Sequence, residues 1–507
     1  MSVVKKIRNA FISTYNKDGL DEILIKLNEE GVKLYSTSGT QIFIASLGIP
    51  CFSAENLTGY PSILGGRVKT LHPKVFGGIL ARRNDDEDIE QMHKYNIPEI
   101  DLVIVDLYPF QTVITLDAQE QEIIEKIDIG GISLIRAAAK NFQDVVVVAS
   151  KFQYTTLIKL LNKQGACSSI EERKWFAKEA FAVSSEYDSA IFNYFDESKN
   201  TYFRKAYNST KTLRYGENPH QNGFFYGDLD SIIDKLHGKE VSYNNLLDID
   251  AAIDLISEFN ELTFAILKHN NACGVASRFS LLDAWQAALS GDPISAFGGI
   301  LICNRQIDKF VATEIDKIYF EVIIAPSYES KALEILKQKK NRIILVQKQN
   351  SEITMQFRSI FNGVLLQDKD MNIQTENDLK VVTSIVPSKE EIEDLLFANK
   401  LVKHTKSNAI VLAKNKQLYA SGAGQTSRVD ALRHAIRKAN DFHFDLNGSV
   451  MASDAFFPFH DCVKIASKAG IKAIIQPGGS INDNSSIKYC NRFEVSMVFT
   501  GIRHFRH

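Results

Sequence analysis

Lys268 and His269 are adjacent residues with complementary proton chemistry, placed after the apolar run TFAIL and before Asn270 and Asn271. Histidine titrates near neutral pH and is the usual general base in enzymes. Lysine can stabilise an oxyanion or protonate a leaving nitrogen. A single histidine in a protein is more often structural, but a histidine at a strand end beside a lysine and two asparagines favours catalysis.

A second group of polar residues lies in the loop LGGRVKTLHPKVFGGIL, residues 64–80, where Arg67, Lys69, Thr70 and His72 follow a glycine pair. Arginine offers an anion a bidentate fork, and lysine offers a point charge. Two cations and a histidine beside paired glycines therefore predict a clamp for a phosphate or an oxyanion. A solvated turn is the alternative.

Three further positions lie where elements are expected to end. STSGT, residues 36–40, separates an expected strand from an expected helix. Small residues and hydroxyls there let backbone N–H groups meet an anion, although a plain helix N-cap is the alternative. Tyr108 follows a strand ending at Leu107, an edge where ligands of parallel sheets bind. Asp128 and Lys140 lie at the two ends of a short helical stretch, either as a structural ion pair or as an acid and a base.

The segments that carry these residues alternate between strands and helices, which is the pattern of a mostly parallel sheet covered on both faces. DGLDEILIKLNEEG, residues 18–31, is amphipathic and ends at a glycine. DLVIVDLYPF, residues 101–110, and DVVVVAS, residues 144–150, are apolar and β-branched, as buried parallel strands are. We therefore predict an α/β fold with a first domain at 1–195.

The composition changes at FDESKNTYFRKAYNSTKT, a polar stretch without a clear period, which predicts a linker at 196–212. Beyond it, TFAILKHN and GGILICN are followed by SNAIVLAKNKQLYASGAG and AGIKAIIQPGG, a second round of strand, turn and helix. A second domain at 213–507 with two lobes is therefore predicted. A chain of 507 residues is in any case too long for a single core.

The bulk composition excludes several classes of protein. Hydrophobic residues make up 45% and charged residues 24%, with a formal net charge of -2, whereas a nucleic-acid-binding domain is usually strongly basic. No apolar run approaches the roughly 20 residues needed to span a bilayer. The six cysteines are scattered and include no C-x-x-C pair, which argues against a disulfide scaffold and a cysteine-rich zinc site. We expect a cytoplasmic protein with small-molecule ligands and neither a nucleic-acid nor a membrane partner.

Taken together, these strings resemble the bifunctional purine biosynthesis enzymes of the bacterial type, which carry 5-aminoimidazole-4-carboxamide ribonucleotide transformylase and inosine monophosphate cyclohydrolase activities. The resemblance covers essentially the whole chain. It is carried, in order, by STSGT, GGRVKTLHP, DLYPF, IDIGG with RAAAKN, LRYGENPHQ, LKHNNACG, DPISAFGGI, SNAIV, GAGQTSRV, SDAFFPF, QPGGS and FTGIRHFRH.

The resemblance implies a methylglyoxal-synthase-like domain for cyclohydrolase at 1–195 and a transformylase domain of two cytidine-deaminase-like lobes at 213–507. It implies 10-formyltetrahydrofolate as co-substrate and no catalytic metal. It also implies a homodimer whose transformylase sites are built across the subunit interface.

The resemblance also implies site residues. Cyclohydrolase catalysis is expected from Lys69, Tyr108, Asp128 and Lys140, and transformylase catalysis from Lys268, His269 and Asn408. Substrate contacts are expected from Ser13, Lys17, Thr37, Ser38, Gly39, Thr40, Arg67, Thr70 and Gly130 in the first domain, and from Arg214, Tyr215, Phe456, Asp461 and Arg503 in the second. His460 stands where many members of the family have arginine, so no role is assigned to it.

Two other functions remain as alternatives. A zinc-dependent deaminase would share the lobes, but the chain has no H-x-E with P-C-x-x-C, and metal analysis discriminates the two. A non-catalytic nucleotide or folate sensor would keep the loops and would need neither His269 nor Lys69.

Overall fold

The computed structural model describes residues 4–115, 118–196, 202–207, 209–348 and 354–507. They form two compact units, unit 1 at Met1–Asn208 and unit 2 at Ser209–His507. The division lies inside the segment 196–212 that the sequence predicts as a linker, and the last three residues of that segment form a strand of unit 2.

Unit 1 is built around a parallel sheet with the strand order β4-β3-β2-β5-β6. The strands of the unit are β1 (Lys5–Lys6), β2 (Asn9–Ser13), β3 (Lys33–Ser36), β4 (Phe52–Ser53), β5 (Leu102–Val105), β6 (Val146–Val148) and β7 (Cys167–Ser168). Its helices are α1 (Leu20–Glu29), α2 (Ser38–Ser46), α3 (Ala54–Thr58), α4 (Pro73–Leu80), α5 (Asp86–Lys94), α6 (Phe110–Thr115), α7 (Glu120–Ile124), α8 (Gly130–Lys140), α9 (Tyr154–Gln164) and α10 (Ile170–Phe195).

The parallel arrangement decides where polar side chains meet in unit 1. Every residue of β5 and β6 is buried, as the continuous apolar runs predict. The carboxyl ends of β2, β3 and β5 lie at one edge of the sheet because these strands are parallel neighbours. The loops that follow Ser13, Ser36 and Val105 therefore meet at that edge, where open α/β sheets bind ligands.

Unit 2 contains a long mixed sheet, two small hairpins and helices on both faces of the sheet. Its strands are β8 (Thr210–Thr212), β9 (Phe224–Tyr226), β10 (Ile233–His237), β11 (Thr263–Lys268), β12 (Asn271–Ser277), β13 (Ile300–Cys303), β14 (Val322–Ala325), β15 (Ile343–Gln347), β16 (Met355–Ile360), β17 (Gly363–Asp368), β18 (Lys380–Val381), β19 (Ile410–Lys414), β20 (Gln417–Gly422), β21 (Val450–Ser453), β22 (Ala473–Gln476) and β23 (Ser496–Phe499). Its helices are α11 (Tyr243–Ile256), α12 (Leu281–Gly291), α13 (Pro293–Ala296), α14 (Lys309–Ile315), α15 (Ser330–Leu336), α16 (Lys389–Lys403), α17 (Arg428–Asp441), α18 (Asp461–Lys468) and α19 (Asp483–Arg492).

The long sheet consists of two halves with the same connectivity. Its order is β10-β15-β14-β13-β11-β12 followed by β20-β19-β21-β22-β23-β18. Each half has a central antiparallel hairpin followed by three more strands. The first of these pairs antiparallel with the hairpin, the other two follow it in parallel, and an antiparallel strand forms the outer edge. Ala276 pairs with Gln417 and joins the halves. The predicted α/β class, with a parallel-sheet domain followed by a two-lobed domain, is confirmed.

Two equivalent helices fix the central hairpins of the two lobes. Helices α11 and α16 share one buried apolar cluster, whereas the helices on the opposite face form a separate cluster in each lobe. Each of the two helices begins with a capping box, at Ser242 and at Ser388, which fixes its start. Six residues after each capping serine, Asp248 and Asp394 bind backbone N–H groups in the turn of the central hairpin of their own lobe.

No helix in the described part of the chain is both long enough and apolar enough to cross a membrane.

Candidate active sites

A cavity of about 590 Å³ opens at the carboxyl edge of the parallel sheet in unit 1. It is lined by most of the residues that the sequence predicts for the first domain: Ser13, Lys17, Thr37, Gly39, Thr40, Arg67, Lys69, Thr70, Tyr108, Asp128 and Gly130. Lining residues that the sequence analysis missed include Thr14, Tyr15, Asp106 and Glu125. The glycines that it noted in the two loops, Gly65, Gly66 and Gly131, line the cavity as well.

Hydroxyl groups join the loops after β2 and β3 at one end of this cavity. The hydroxyls of Ser13 and Thr37 lie 3.0 Å apart, and Thr40 exchanges two hydrogen bonds with the backbone of Thr14. The Thr37 side chain makes no cap to α2, so the start of that helix faces the cavity uncapped, as an anion-binding helix terminus requires. The hydroxyl of Ser38 instead points to Glu55 and does not line the cavity.

Asp106 organises the loop after β2 and is the clearest residue that the sequence analysis missed. Its carboxylate accepts hydrogen bonds from the backbone N–H groups of Tyr15 and Asn16, while the Lys17 ammonium donates to the carbonyls of Thr14 and Tyr15. Burial raises the pKa of Asp106 against the opposing effect of these backbone bonds. Asp106 directly follows β5, so the strand-end criterion that selected Tyr108 applies equally to it.

Glycines make room for the side chains of Lys69 and Asp128, whose charges influence each other. The Lys69 side chain folds over Gly66, where a β-carbon would come within 2.6 Å of Cε. The Asp128 carboxylate accepts a hydrogen bond of 2.7 Å from the Gly131 N–H at the start of α8, and a β-carbon at Gly131 would collide with that carboxylate.

The surroundings of Asp128 disfavour its charge. Burial is the main cause that raises the pKa of the Asp128 carboxyl, and nearby Asp106 raises it further. The bonds from Gly131 and Gly130 and the charge of Lys69 act in the opposite direction without cancelling the rise. Burial also raises the pKa of Tyr108, followed by the charge of Asp128. A carboxyl with a raised pKa beside a lysine and a tyrosine can accept a proton from a bound substrate.

Arg67 and Lys126 place positive charge at the cavity. Arg67 forms an ion pair with Glu125, and both side chains are largely exposed. The Lys126 ammonium lies over the rings of Tyr108 and Tyr15, 5.6 and 6.0 Å from their centroids. Since exposed ion pairs contribute little free energy, Arg67 is free to exchange Glu125 for the phosphate of a ligand.

Lys140 does not join this group. It is the exposed last residue of α8, whereas Asp128 precedes the first residue of that helix. The first and last residues of α8 are ten positions apart, which corresponds to about 15 Å along the helix. Lys140 is not among the residues that line the cavity. The short helical stretch that suggested an acid and base pair therefore separates the two side chains.

In unit 2, Lys268 and His269 lie at the tight turn between β11 and β12. His269 and Asn270 have φ angles of 51° and 62°, as a two-residue hairpin turn of type I′ requires. Asp248 fixes this turn by accepting the Asn270 N–H at 2.6 Å. Lys268 donates to the carbonyl of Phe297 at 2.8 Å, and the His269 side chain is exposed.

Asn271 joins this turn to the segment that carries Asn408. Its amide donates to the His269 carbonyl at 2.8 Å, and its carbonyl oxygen accepts the Lys406 N–H at 3.0 Å. Two residues further on, the Asn408 amide donates to the carbonyl of Gln425 at 2.9 Å. The three predicted transformylase residues therefore lie on segments that are hydrogen-bonded to one another through Asn271.

The residues predicted to contact the nucleotide and the folate are not hydrogen-bonded to Lys268 or His269 in the described part of the chain. The Arg214 guanidinium lies 4.7 Å above the Tyr215 ring and donates to its hydroxyl. The following Glu217 accepts a bond from Asn244, which lies on α11, the helix that carries Asp248.

The other three predicted contacts lie on the second lobe. Phe456 is 36% exposed, Asp461 begins α18, and Arg503 covers the ring of Phe505 at 4.4 Å. No hydrogen bond among the described residues joins any of them to Lys268 or His269. His460 bonds Ser485 and stacks on Tyr489, which is a structural environment.

No group of three or more His, Cys, Asp or Glu side chains in the described ranges is arranged to hold a metal ion.

Both units contain residues that match models of known protein families. Residues 138–438 match the family model of the AICARFT/IMPCHase bienzyme, and residues 19–133 match that of the MGS-like domain. A "Bifunctional purine biosynthesis protein PurH" of Bacteroides thetaiotaomicron is 66% identical over 507 residues, covering 100% of both chains. Proteins of the same name from Caldicellulosiruptor saccharolyticus and Persephonella marina are each 45% identical over 516 residues, covering 99% of this chain and 100% of their own.

Proposed function

This chain belongs to the AICARFT/IMPCHase bienzyme family, and we propose that unit 1 carries the cyclohydrolase site and unit 2 the transformylase site. The chain is a bifunctional enzyme of purine biosynthesis, a formyltransferase acting on 5-aminoimidazole-4-carboxamide ribonucleotide and an inosine monophosphate cyclohydrolase. The observation that carries the division is the cavity of unit 1, which brings a phosphate-binding end and the Lys69, Tyr108 and Asp128 group together within one unit.

In the proposed transformylase reaction, the 5-amine of the ribonucleotide attacks the formyl carbon of 10-formyltetrahydrofolate. A C–N bond to the nucleotide forms, and the bond between the formyl carbon and the folate nitrogen breaks. His269 takes the proton that the amine loses. Lys268 and Asn408 stabilise the charge that develops on the formyl oxygen, and the Lys268 ammonium gives the folate nitrogen the proton that it needs to leave. The hydrogen bonds of Asn271 support this assignment because they connect the His269 turn to the Asn408 segment.

In the proposed cyclohydrolase reaction, the carboxamide nitrogen attacks the new formyl group of the same molecule, and water is lost. The ribose phosphate binds at the uncapped start of α2, with the hydroxyls of Ser13 and Thr37 and with Arg67. Asp128 takes the carboxamide proton, while Lys69 and Tyr108 polarise the formyl oxygen. The step is already intramolecular, so the site mainly fixes a reactive rotamer. The catalytic role expected of Lys140 stays a prediction, because its side chain does not line this cavity.

We also propose a cytoplasmic homodimer. The side chains of His269 and Arg214 lie on separate loops of unit 2, and both are exposed. A second subunit is therefore a natural source of the walls that two bound substrates require. All six cysteines are free thiols, which is their expected state in a reducing cytoplasm.

The test of this function is to mix the purified protein with the aminoimidazole carboxamide ribonucleotide and 10-formyltetrahydrofolate and to follow the absorbance. We expect inosine monophosphate to form, with the activity in a species of twice the chain mass of 56.9 kDa. Protein that neither deformylates folate nor cyclises supplied formamido intermediate contradicts the proposal and favours a sensor. Metal-dependent release of ammonia favours the deaminase instead.

We expect Asp128→Asn to lower the cyclisation rate by at least about 100-fold and to raise the thermal midpoint at neutral pH. Asparagine keeps an acceptor for the Gly131 N–H but takes no proton. Burial raises the pKa of Asp128, so its ionised form is less stable in the folded than in the unfolded chain. That destabilisation is absent below the unfolded pKa and complete above the raised folded pKa.

One measurement compares kcat of the variant and the wild type for supplied formamido intermediate. A second compares their thermal midpoints at pH 7 and at about pH 3.5, which is below the unfolded pKa of aspartate. The gain in midpoint should be present at pH 7 and absent at the lower pH. Full activity would remove Asp128 from the mechanism, and a lower midpoint at pH 7 would show that its hydrogen bonds outweigh its burial.

A further inference from the structure

A phenol outside the cavity touches both segments that supply the proposed proton-transfer groups of unit 1. Tyr187 lies on the long helix α10 and is 9% exposed. Its hydroxyl accepts the backbone N–H of Asp128 at 2.7 Å and donates to the carbonyl of Lys126 at 2.9 Å. Both hydrogen-bonding functions of the hydroxyl are therefore used by the turn that carries Asp128.

The ring of the same side chain reaches the segment of Tyr108. Tyr187 packs edge to face on Phe110, with ring centroids 6.1 Å apart. Phe110 is 1% exposed, and its N–H donates to the carbonyl of Tyr108 at 2.8 Å. The position of Tyr187 is thus coupled through one buried ring to Tyr108, and through its hydroxyl to Asp128.

The helix that carries Tyr187 is fixed independently of the cavity. Ser184, one turn earlier on α10, is fully buried and accepts a hydrogen bond of 2.9 Å from Arg136 on α8. Helix α8 begins directly after the Asp128 turn. The pair Arg136–Ser184 therefore fixes α10 relative to α8, the helix whose Gly131 N–H binds the Asp128 carboxylate, and it gives the Tyr187 hydroxyl a defined position.

From this geometry we infer that Tyr187 is a positioning residue for cyclisation, which fixes Asp128 and Tyr108 relative to each other. The inference rests on the proposed function of unit 1. Tyr187 does not line the cavity, so it acts only through its contacts with the Lys126–Asp128 turn and with Phe110. Loss of its hydroxyl frees the Lys126–Asp128 turn, and small misplacements of a reacting group reduce the rate of the chemical step more than substrate binding.

The test is Tyr187→Phe, which keeps the ring on Phe110 and removes both hydrogen bonds. We expect kcat for cyclisation of supplied formamido intermediate to fall about tenfold, with KM within about twofold of the wild-type value because the phosphate-binding end is untouched. Formylation by unit 2, measured on the same sample, should be unchanged.

Tyr194→Phe is the matched control. Tyr194 lies on the same helix and packs on the same Phe110 ring at 5.9 Å, but its hydroxyl makes no hydrogen bond within the part of the chain that the structure describes. We expect its kinetics to be unchanged. Equal losses in both variants, or a cyclisation kcat within twofold of wild type in Tyr187→Phe, overturn the inference.

Two additions keep the outcome decisive. If Tyr187→Phe does not accumulate as folded protein, Phe110→Leu tests the other contact, and an unchanged kcat in that variant overturns the inference. Asp128→Asn serves as the reference in each experiment. An active Asp128→Asn enzyme overturns the proposed function together with this inference, whereas an inactive one beside an unchanged Tyr187→Phe overturns the inference alone.

Discussion

His269→Ala is expected to abolish formyl transfer while leaving cyclisation intact. Removal of a general base lowers a rate by about 10²- to 10⁴-fold, and His269 is the only titratable side chain in the turn Lys268–Asn271 other than the lysine. Unit 1 should be unaffected, because the proposed cyclohydrolase residues all lie within it. The measurement is folate deformylation with both substrates present, followed by cyclisation of supplied formamido intermediate on the same preparation.

The second lobe provides a matched control for this variant. Asn415 occupies the equivalent position in the turn between β19 and β20, with a φ of 53° against 51° for His269. An alanine at either position therefore carries the same backbone penalty of about 1 kcal/mol or more. We expect Asn415→Ala to lose stability as His269→Ala does and to keep full formyl transfer. Loss of formylation in both would assign the effect to the hairpin and not to the imidazole.

The same pair of turns shows why the sequence predicts two lobes in unit 2 but does not reveal that their central turns are equivalent. The first turn is Lys268-His269-Asn270-Asn271 and the second Lys414-Asn415-Lys416-Gln417, so only the lysine is shared. Their common features are backbone conformation and a helix aspartate that binds the turn, and both tolerate different side chains. The Lys416 ammonium pairs with Glu261 and Glu393, so the second turn has a structural use, whereas we propose a catalytic role for the first.

In unit 1, the sequence predicts best what depends on neighbours along the chain. The apolar strands β5 and β6 and the loops after β2 and β3 follow from local patterns, and parallel topology then brings their ends together. Contacts between segments that are far apart in the chain leave no pattern in the sequence from which they could be predicted. Tyr187 is 59 residues from Asp128 and resembles any tyrosine of an amphipathic helix. The sequence also gives the spacing between Asp128 and Lys140. Because the residues between them form helix α8, the two side chains lie too far apart to contact each other.

Lys69→Ala is expected to have the converse effect of His269→Ala, so that the formamido intermediate accumulates. A single electrostatic donor to a developing oxyanion contributes about 10²- to 10³-fold to a rate, and Lys69 also stabilises the charged form of the Asp128 carboxyl. Its loss should therefore lower cyclisation by at least about 100-fold and raise the pH at which the remaining activity appears. Formyl transfer should be within about twofold of wild type. Both are measured from the absorbance of intermediate and product.

Lys74→Ala is a control that distinguishes the specific contact of the Lys69 ammonium with the substrate from a general effect of positive charge. Lys74 is the second residue of α4, five residues after Lys69, carries the same charge and does not line the cavity. If a general positive potential attracted the substrate, both variants would weaken binding alike, and added salt would reproduce the loss. If the Lys69 ammonium acts on the formyl oxygen, only Lys69→Ala loses kcat, and the loss is insensitive to salt. Equal behaviour of the two variants would leave Tyr108 as the remaining group that can polarise that oxygen.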